Sequence, residues 1–256
     1  MHWTITQNIY IEKEINCVKM RLKLTLNALK DVSQEHFHKQ YFTDMHGLLA
    51  PVVGKEGDYG KFCFGNLFPI TEQKIIEGKD YSVIISSPEP KIIEKLFFSF
   101  EIDKLINIGE LQFKVAEIGL EPRKLRNNSI IESISPVNLT VHEKDKIRFL
   151  KYDNNGSKDY LGKNLLGKYT FFSGKEFKGN LFENVDISEH EKHPFASFQI
   201  NFFNKGKNKN FKVCGSKLVF KFKGISDEQL EVFQTVFDAG FGERTTFGAG
   251  FMVVRR

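Results

Sequence analysis

Residues 239–251 read AGFGERTTFGAGF and join a predicted helix to the last predicted strand of the chain. The glycines of this stretch are Gly240, Gly242, Gly248 and Gly250. Glycine accepts positive φ and lets another backbone come close. The loop can therefore present backbone amides, Arg244 and Thr245 to a phosphodiester, or it can be a tight connection whose glycines only make the turn. A dinucleotide or phosphate-loop motif is disfavoured, because those motifs follow a strand and precede a helix.

The sequence on either side of this loop predicts a regular order of strands and helices. A helix is indicated at residues 226–239, with Asp227 and Glu228 in its first turn, and a strand at residues 251–254. Upstream we expect strands at residues 195–203 and 211–222, a helix near residues 160–169, and a strand from residue 129 that is interrupted at Pro136. The predicted order over this half is βαββαβ.

The first half of the chain predicts the same order. Residues 18–26 alternate strictly between apolar and polar side chains, which is the pattern of a half-buried strand. Residues 33–49 have apolar side chains at helical spacing, with Ser33 as a candidate N-cap and an end before Pro51. Further elements are expected as strands at residues 61–68, 81–86 and 110–120 and a helix at residues 90–105.

Two βαββαβ units predict an α+β protein with two tandem ferredoxin-like lobes, each an antiparallel sheet with two helices on one face. We expect an N-terminal lobe at residues 18–122 and a C-terminal lobe, which carries the glycine-rich loop, at residues 128–256. The basic stretch EPRKLRNN at residues 121–128 is typical of a solvated linker. Residues 1–17 precede the first predicted strand, and no role is assigned to them.

Composition narrows the class of protein. The formal net charge of +5 is a weak indication of an anionic partner. Cys17, Cys63 and Cys214 are too few and too scattered for a disulfide framework or a spaced metal motif, which favours a reducing, cytoplasmic location. No apolar run reaches the length of a membrane helix, so we expect no membrane association.

The loop GFGERTTFGAG at residues 240–250 resembles the glycine-rich loop of the repeat-associated RNA-binding superfamily, and most closely its CRISPR RNA-processing endoribonuclease branch, Cas6. MRLKLTL at residues 20–26, FCFGNLFP at residues 62–69 and SISPVNLTV at residues 133–141 are similar to strands of that family. The resemblance covers residues 18–255. It implies tandem ferredoxin-like lobes and metal-free cleavage of CRISPR repeat RNA, the precursor of guide RNA, with no cofactor. It leaves open association with other CRISPR effector subunits and a homodimer.

Metal-free RNA cleavage requires a base for the ribose 2′-OH, a proton donor for the leaving 5′-oxygen, and positive charge near the phosphate. His36, His38 and His46 lie in or beside the first predicted helix, together with Tyr41. At 100° per residue, His46 lies about 80° from His38 and Tyr41 about 60° the other way. His38 and His46 can therefore border one groove, whereas Tyr41 packs beneath it or reaches in from the side.

The segment DMHGLL at residues 44–49 resembles the histidine-bearing helix of one branch of the family, which makes His46 the leading candidate for the base. His38, with its neighbour His36, is the rival, and Tyr41 is a candidate for orienting or donating a proton. Lys61 precedes a predicted strand and is a candidate for stabilising the phosphate. Zinc binding by the histidines is disfavoured, because neither a partner cysteine nor an HExxH pattern accompanies them.

Lysines supply the candidate contacts to the RNA backbone. The stretch NFFNKGKNKNFKV at residues 201–213 predicts a basic hairpin, in which Lys205, Lys207 and Lys209 could contact phosphates or merely be solvated. Lys221 and Lys223 alternate with phenylalanines, so one face of that strand is basic and the other belongs to the core.

Two other classes of function remain open at this stage. A non-catalytic subunit that binds guide RNA would share the glycine-rich loop, and only the histidine cluster favours the enzyme. An unrelated ferredoxin-like metabolic or metal-binding enzyme would not bind RNA.

Overall fold

Two antiparallel sheets, each with two helices, account for most of the molecule. The computed structural model describes residues 20–54, 60–69, 74–122, 125–143, 146–153, 156–204 and 207–255. Only the backbone is described for residues 34–39, 142–143, 146–147, 202–204 and 207–209.

The first unit is built around its longest apolar strand, β1. Its elements along the chain are β1 (Met20–Ala28), β2 (Val32–Ser33), α1 (Gln34–Val53), β3 (Cys63–Phe64), β4 (Lys74–Ile75), β5 (Asp80–Ser86), α2 (Pro90–Ser99), β6 (Leu105–Ile108) and β7 (Leu111–Pro122). Leu22, Leu24 and Leu26 of β1 are fully buried, as the predicted alternation requires. The main sheet has the order β3-β5-β1-β7-β6, and β2 pairs separately with β4.

The second unit repeats this arrangement. Its elements are β8 (Ile130–Ser133), β9 (Thr140–Glu143), β10 (Lys146–Phe149), α3 (Gly156–Ser173), β11 (Val185–Glu189), β12 (Phe195–Asn204), β13 (Lys207–Ser216), β14 (Leu218–Phe222), α4 (Asp227–Ala239) and β15 (Met252–Val254). The main sheet has the order β11-β14-β8-β15, while β9 and β10 form one hairpin and β12 and β13 another. The start of α4 is set by a capping box between Ser226 and Gln229.

Both main sheets have the strand order of a ferredoxin-like unit, in which the first strand of βαββαβ lies between the third and the fourth. In the first unit β1 pairs antiparallel with β5 and β7, and in the second β8 pairs antiparallel with β14 and β15. The predicted fold of two tandem ferredoxin-like units is therefore confirmed. β6 is an additional edge strand of the first sheet.

Three boundaries predicted for the first unit are wrong. Helix α1 continues through Pro51 to Val53, because a proline in the last turn removes only one hydrogen bond and the Gly54 amide still donates to the Ala50 carbonyl at 2.9 Å. Helix α2 ends at Ser99, and residues 105–108 form β6 instead of a last helical turn. The strand predicted at residues 61–68 is reduced to β3 and an isolated bridge at Phe68.

The strands predicted at residues 195–203 and 211–222 were expected in the sheet of the second unit, and this is wrong for residues 195–216. The second sheet uses β11, which the sequence analysis did not predict, and β14. Residues 195–216 form the β12–β13 hairpin, which confirms the predicted hairpin at residues 201–213. Phe198, Ile200 and Val213 of this hairpin are buried in the hydrophobic core of the first unit, which explains why it leaves the sheet of the second.

The two units are joined by a buried arginine of β1. The Arg21 guanidinium donates to the backbone carbonyls of Met252 at 2.7 Å and Phe237 at 2.9 Å, and it lies 3.4 Å from the Asp238 carboxylate. Its carbon Cζ is 4.1 Å from the ring centroid of Phe237 and 4.6 Å from that of Phe251. The first strand of one unit is thereby fastened to the last helix and strand of the other.

Candidate active site

Helix α1 places His46 beside the glycine-rich loop. Met45 and Leu49 are fully buried, so the next position along the helix, His46, lies at the border of the core and is half-buried. Its Nδ1 is 3.0 Å from the Thr246 carbonyl oxygen, and its ring stacks on Phe247 with centroids 4.0 Å apart. The predicted base and the predicted loop, 200 residues apart in the chain, are thus in direct contact.

The glycine-rich loop is folded tightly on itself. Its four glycines have φ between 63° and 79°. A Cβ on Gly250 would lie 1.8 Å from the Phe241 carbonyl oxygen, and a Cβ on Gly242 would lie 2.4 Å from the Asn138 carbonyl oxygen. Only glycine satisfies both the backbone angle and the close approach at these positions.

Hydrogen bonds within the protein already use several amides of this loop. The amides of Phe241, Glu243, Gly248 and Gly250 donate to carbonyls of Gly250, Asn138, Thr245 and Pro136, respectively, at 2.8 to 2.9 Å. The glycines themselves therefore shape the turn, which agrees with the alternative of a tight connection between the helix and the strand. They hold the residues between them in place.

Three of the residues between these glycines form a short 3-10 helix, Thr245–Phe247, which packs against β3 and α1 of the first unit. Thr245 and Thr246 are buried. A Cβ on Gly60 would lie 2.2 Å from Thr246 Cγ2, which places Lys61 close to this helix. The Glu243 carboxylate accepts a hydrogen bond from the Thr140 hydroxyl and so ties the loop to β9.

Arg244 occupies the left-handed region, with a φ of 56°, and is half-buried. Its guanidinium carbon is 5.8 Å from the ring centroid of Phe211 on β13, within the range of a cation–π contact. The β12–β13 hairpin in turn rests on α1, where the Phe198 ring stacks on Phe42 at 3.9 Å and the Asn201 amide donates to Thr43 Oγ1. The hairpin therefore contacts both the helix that carries His46 and the glycine-rich loop.

Lys168 of α3 is a buried charge that the sequence analysis missed. Its Nζ donates to the Gly240 carbonyl at 2.7 Å. Burial lowers the pKa of this ammonium to about 7, and the nearby Cys63 and Glu243 oppose the shift. Its spacing could have revealed it, because Lys168 follows the buried Leu161 by seven residues and Leu165 by three, on the apolar face of the helix.

Tyr41 is a residue of the hydrophobic core and is not accessible to a substrate. Its side chain is 1% exposed, its hydroxyl donates to the Gly65 carbonyl at 2.9 Å, and burial raises its pKa well above the usual range. A catalytic proton donor must reach the substrate, so this position contradicts the predicted role of Tyr41 in donating a proton. The alternative in which it packs beneath the groove agrees with the structure.

The structure describes the remaining candidates only in part. His36 and His38 are in the first turns of α1, but their side chains lie outside the described part. Lys205 is outside the described residues altogether, and only the backbone of Lys207 and Lys209 is described. Lys221 lies within β14 and Lys223 directly follows it; both are exposed, and Lys223 forms an ion pair with Asp186 at 2.5 Å.

A cleft of about 770 Å³ lies elsewhere, on the face of the first sheet away from its helices. It runs between that sheet and the last strand of the second unit, and its lining includes Arg21, Lys23, Phe68 and Phe251. Phe68 is 73% exposed. No histidine is among the described residues that line this cleft, so the candidate active site is the contact between His46 and the glycine-rich loop.

Clustered metal ligands or a membrane-spanning helix would point to other classes of function. Within the part of the chain that the structure describes, no three histidine, cysteine or acidic side chains come together in a way that could hold a metal ion. No helix in the same residues is long and apolar enough to cross a membrane.

Comparison with known proteins places these features in a family. A model described as CRISPR associated protein Cas6, C-terminal, matches residues 120–254. CRISPR-associated endoribonuclease Cas6 2 of Methanocaldococcus jannaschii is 27% identical over 249 residues, which cover 91% of this chain and 98% of the relative. The putative CRISPR-associated endoribonuclease-like protein Cas6 of Pyrococcus furiosus is 27% identical over 252 residues, which cover 92% of this chain and 98% of the relative.

The fold has solved counterparts. A structure of a CRISPR associated protein Cas6 superimposes with a TM-score of 0.65 at 18% identity, over 93% of this chain and 100% of that chain. The likeness extends over both ferredoxin-like units and the hairpins between their strands.

Proposed function

The chain belongs to the Cas6 family, and from that premise we propose that it is an endoribonuclease that cuts CRISPR repeat RNA without a metal ion. The observation that carries the proposal is the contact between His46 and the glycine-rich loop. A helix of the first unit and the most distinctive motif of the second meet at a half-buried imidazole. Membership of the family also removes the alternative of an unrelated metabolic enzyme.

The hydrogen bond of His46 determines which ring nitrogen can act. A carbonyl oxygen can only accept, so Nδ1 carries the proton that it donates to Thr246. In the neutral imidazole the lone pair is then on Nε2, and among the described residues His46 makes no other hydrogen bond. Nε2 is therefore the proposed base.

The proposed reaction starts with removal of the ribose 2′-OH proton by Nε2. The 2′-oxygen attacks the adjacent phosphorus, the bond to the 5′-oxygen breaks, and that oxygen takes a proton from water, while Nε2 releases the proton that it removed to the solvent. The products are a 2′,3′-cyclic phosphate and a 5′-OH. Arg244, the N-cap residue of the 3-10 helix, and Lys61, which follows the Gly60 packed against Thr246, are the proposed source of positive charge for the phosphate.

Other lysines are proposed to position the RNA without reading its sequence. These are Lys205, Lys207 and Lys209 of the predicted basic hairpin, Lys221 of β14, and Lys223, which follows β14. His38 stays the rival base, because it is on the same helix as His46. A cytoplasmic location stays a prediction from the cysteine usage. Contact with other effector subunits and a homodimer stay predictions that the family resemblance leaves open.

Incubation of the purified protein with CRISPR repeat RNA in EDTA tests the proposal. We expect one cut that leaves a 2′,3′-cyclic phosphate, and no cut when the attacking nucleotide is 2′-deoxy. His46→Ala should lower the single-turnover rate by about 100- to 10,000-fold, the usual worth of a general base. His190→Ala, which changes a histidine after β11 in the second unit, is the matched control and should cleave normally.

Other outcomes would redirect the assignment. Loss of activity in His38→Ala but not in His46→Ala would make His38 the base. Tight binding without cleavage by the wild type would support the alternative of a non-catalytic RNA-binding subunit. Cleavage that stops in EDTA and returns with a divalent cation would contradict the metal-free reaction.

A further inference from the structure

Lys168 lies where α3, the end of α4 and β3 meet. It projects from α3 of the second unit, its side chain is almost fully buried, and its Nζ donates to Gly240, the residue that ends α4. Cys63 of β3, in the first unit, is close enough to oppose the shift of the Lys168 pKa. Burial raises the pKa of the Cys63 thiol to about 12, so this neighbour is uncharged at neutral pH.

A buried ammonium is unfavourable unless it is paired and hydrogen-bonded. An apolar side chain of the same length would fill this space without that cost. The bond to the Gly240 carbonyl is the one hydrogen bond of the ammonium within the described residues, and it is directed at the first residue of the glycine-rich loop. A charged donor makes such a bond shorter and stronger than a neutral one.

A short series of contacts connects this bond to His46. A Cβ on Gly240 would lie 2.9 Å from Thr245 Cγ2 and 2.8 Å from Cys63 Sγ, so the Gly240 backbone is packed directly against the 3-10 helix. The next residue of that helix, Thr246, provides the carbonyl that accepts from His46 Nδ1. A displacement of Gly240 therefore moves the group that orients the imidazole.

We propose that Lys168 is a positioning residue for cleavage, which acts through Gly240 and the 3-10 helix on the orientation of His46. The inference rests on the proposed function only where it concerns the cleavage rate. The effect of Lys168 on the orientation of the His46 ring can be measured whether or not the protein cleaves RNA. Lys168 itself is buried and does not contact the RNA.

The test compares Lys168→Met, which keeps the length of the side chain but not the donor, with Lys168→Arg, which keeps a charged donor. Lys163→Met, an exposed lysine on the same helix, is the matched control. Three quantities are measured: the single-turnover cleavage rate, the Kd for repeat RNA with a 2′-deoxy nucleotide at the cut site, and the ¹⁵N chemical shifts of the His46 ring.

We expect Lys168→Met to cleave about 10- to 100-fold more slowly, since a misplacement of about 1 Å can cost about 100-fold in rate. Its Kd should stay unchanged, its His46 ring shifts should move, and Lys168→Arg should recover part of the rate. Lys163→Met should match the wild type in rate and in ring shifts. A role in folding alone would predict altered thermal stability with normal His46 shifts and a normal rate for the folded fraction.

Wild-type rate and unchanged ring shifts in folded Lys168→Met would overturn the inference. If the wild type itself cleaves no repeat RNA, the proposed function fails, and the ring shifts alone decide the role of Lys168. If Lys168→Met does not fold, Lys168→Gln is judged by the same rate and ring shifts.

Discussion

The buried pair between Arg21 and Asp238 gives the most quantitative prediction, because it joins the two units and has little contact with solvent. The two side chains are 5% and 1% exposed. Arg21→Met replaces the guanidinium by an apolar chain between Phe237 and Phe251. It leaves the Asp238 carboxylate buried without its cation and takes the donors away from two backbone carbonyls.

Removing one partner of a buried ion pair typically costs about 3 to 5 kcal/mol of folding free energy. For a chain of this size each kcal/mol corresponds to a shift in Tm of about 2 to 4 °C. We therefore expect Arg21→Met to lower Tm by roughly 6 to 20 °C, measured by thermal unfolding followed by circular dichroism.

Lys23→Met is the matched control, because Lys23 is two residues along β1 on the same face. Its ion pair with Glu121 is 3.8 Å long, and the two side chains are 37% and 45% exposed. An exposed pair of this kind is worth about 1 kcal/mol at most, so the control should stay within a few degrees of the wild type.

A second variant separates loss of the pair from loss of packing. Adding Asp238→Asn to Arg21→Met removes the stranded charge, and we expect the double variant to be more stable than Arg21→Met alone by about 1 to 3 kcal/mol. Equal Tm values for Arg21→Met and Lys23→Met would refute the reasoning. Strict additivity of the two substitutions would refute the part that concerns charge.

Three further predictions concern the loop, the buried lysine and the RNA contacts. Gly250→Ala should destabilise the fold by several kcal/mol more than Gly224→Ala in urea unfolding, because both have positive φ but only the Cβ at residue 250 meets a backbone oxygen; equal losses would contradict this. The pKa of Lys168 is about 7 when folded and 10.5 ordinarily, so the unfolded chain binds more protons between these values, and the free energy of unfolding of the wild type relative to Lys168→Met should rise from pH 7 to pH 10.5; a flat difference would contradict the lowered pKa. Lys221→Gln should weaken RNA binding at low salt and reduce the slope of log Kd against log salt by about 0.7 in filter binding, whereas an unchanged slope would remove Lys221 from the phosphate contacts.

Local patterns in the sequence were sufficient to predict several elements and their type. The alternation along β1 and the helical spacing in α1 and α4 each depend on residues two to four apart, and these elements are where they were expected. The glycine-rich loop was also recognisable, because positive φ and close backbone approach restrict its residues to glycine. The candidate base His46 came from the same local signals and a family resemblance.

Contacts between distant parts of the chain decided the rest. Residues 195–216 have the composition of sheet strands, yet they form a hairpin that fills the core of the other unit. Tyr41 and His46 lie on one helix, and only the tertiary contacts show that the first is a core residue and the second contacts the glycine-rich loop.

The sequence by itself determined two βαββαβ units and a glycine-rich turn before the last strand, since each depends on neighbours along the chain. The tertiary structure alone decided which apolar strands fill which core, that Arg21 fastens the two units, and that Lys168 holds the loop beside His46. The physical reason is that burial and desolvation depend on what packs against a side chain, and here the partners are from 72 to more than 200 residues away.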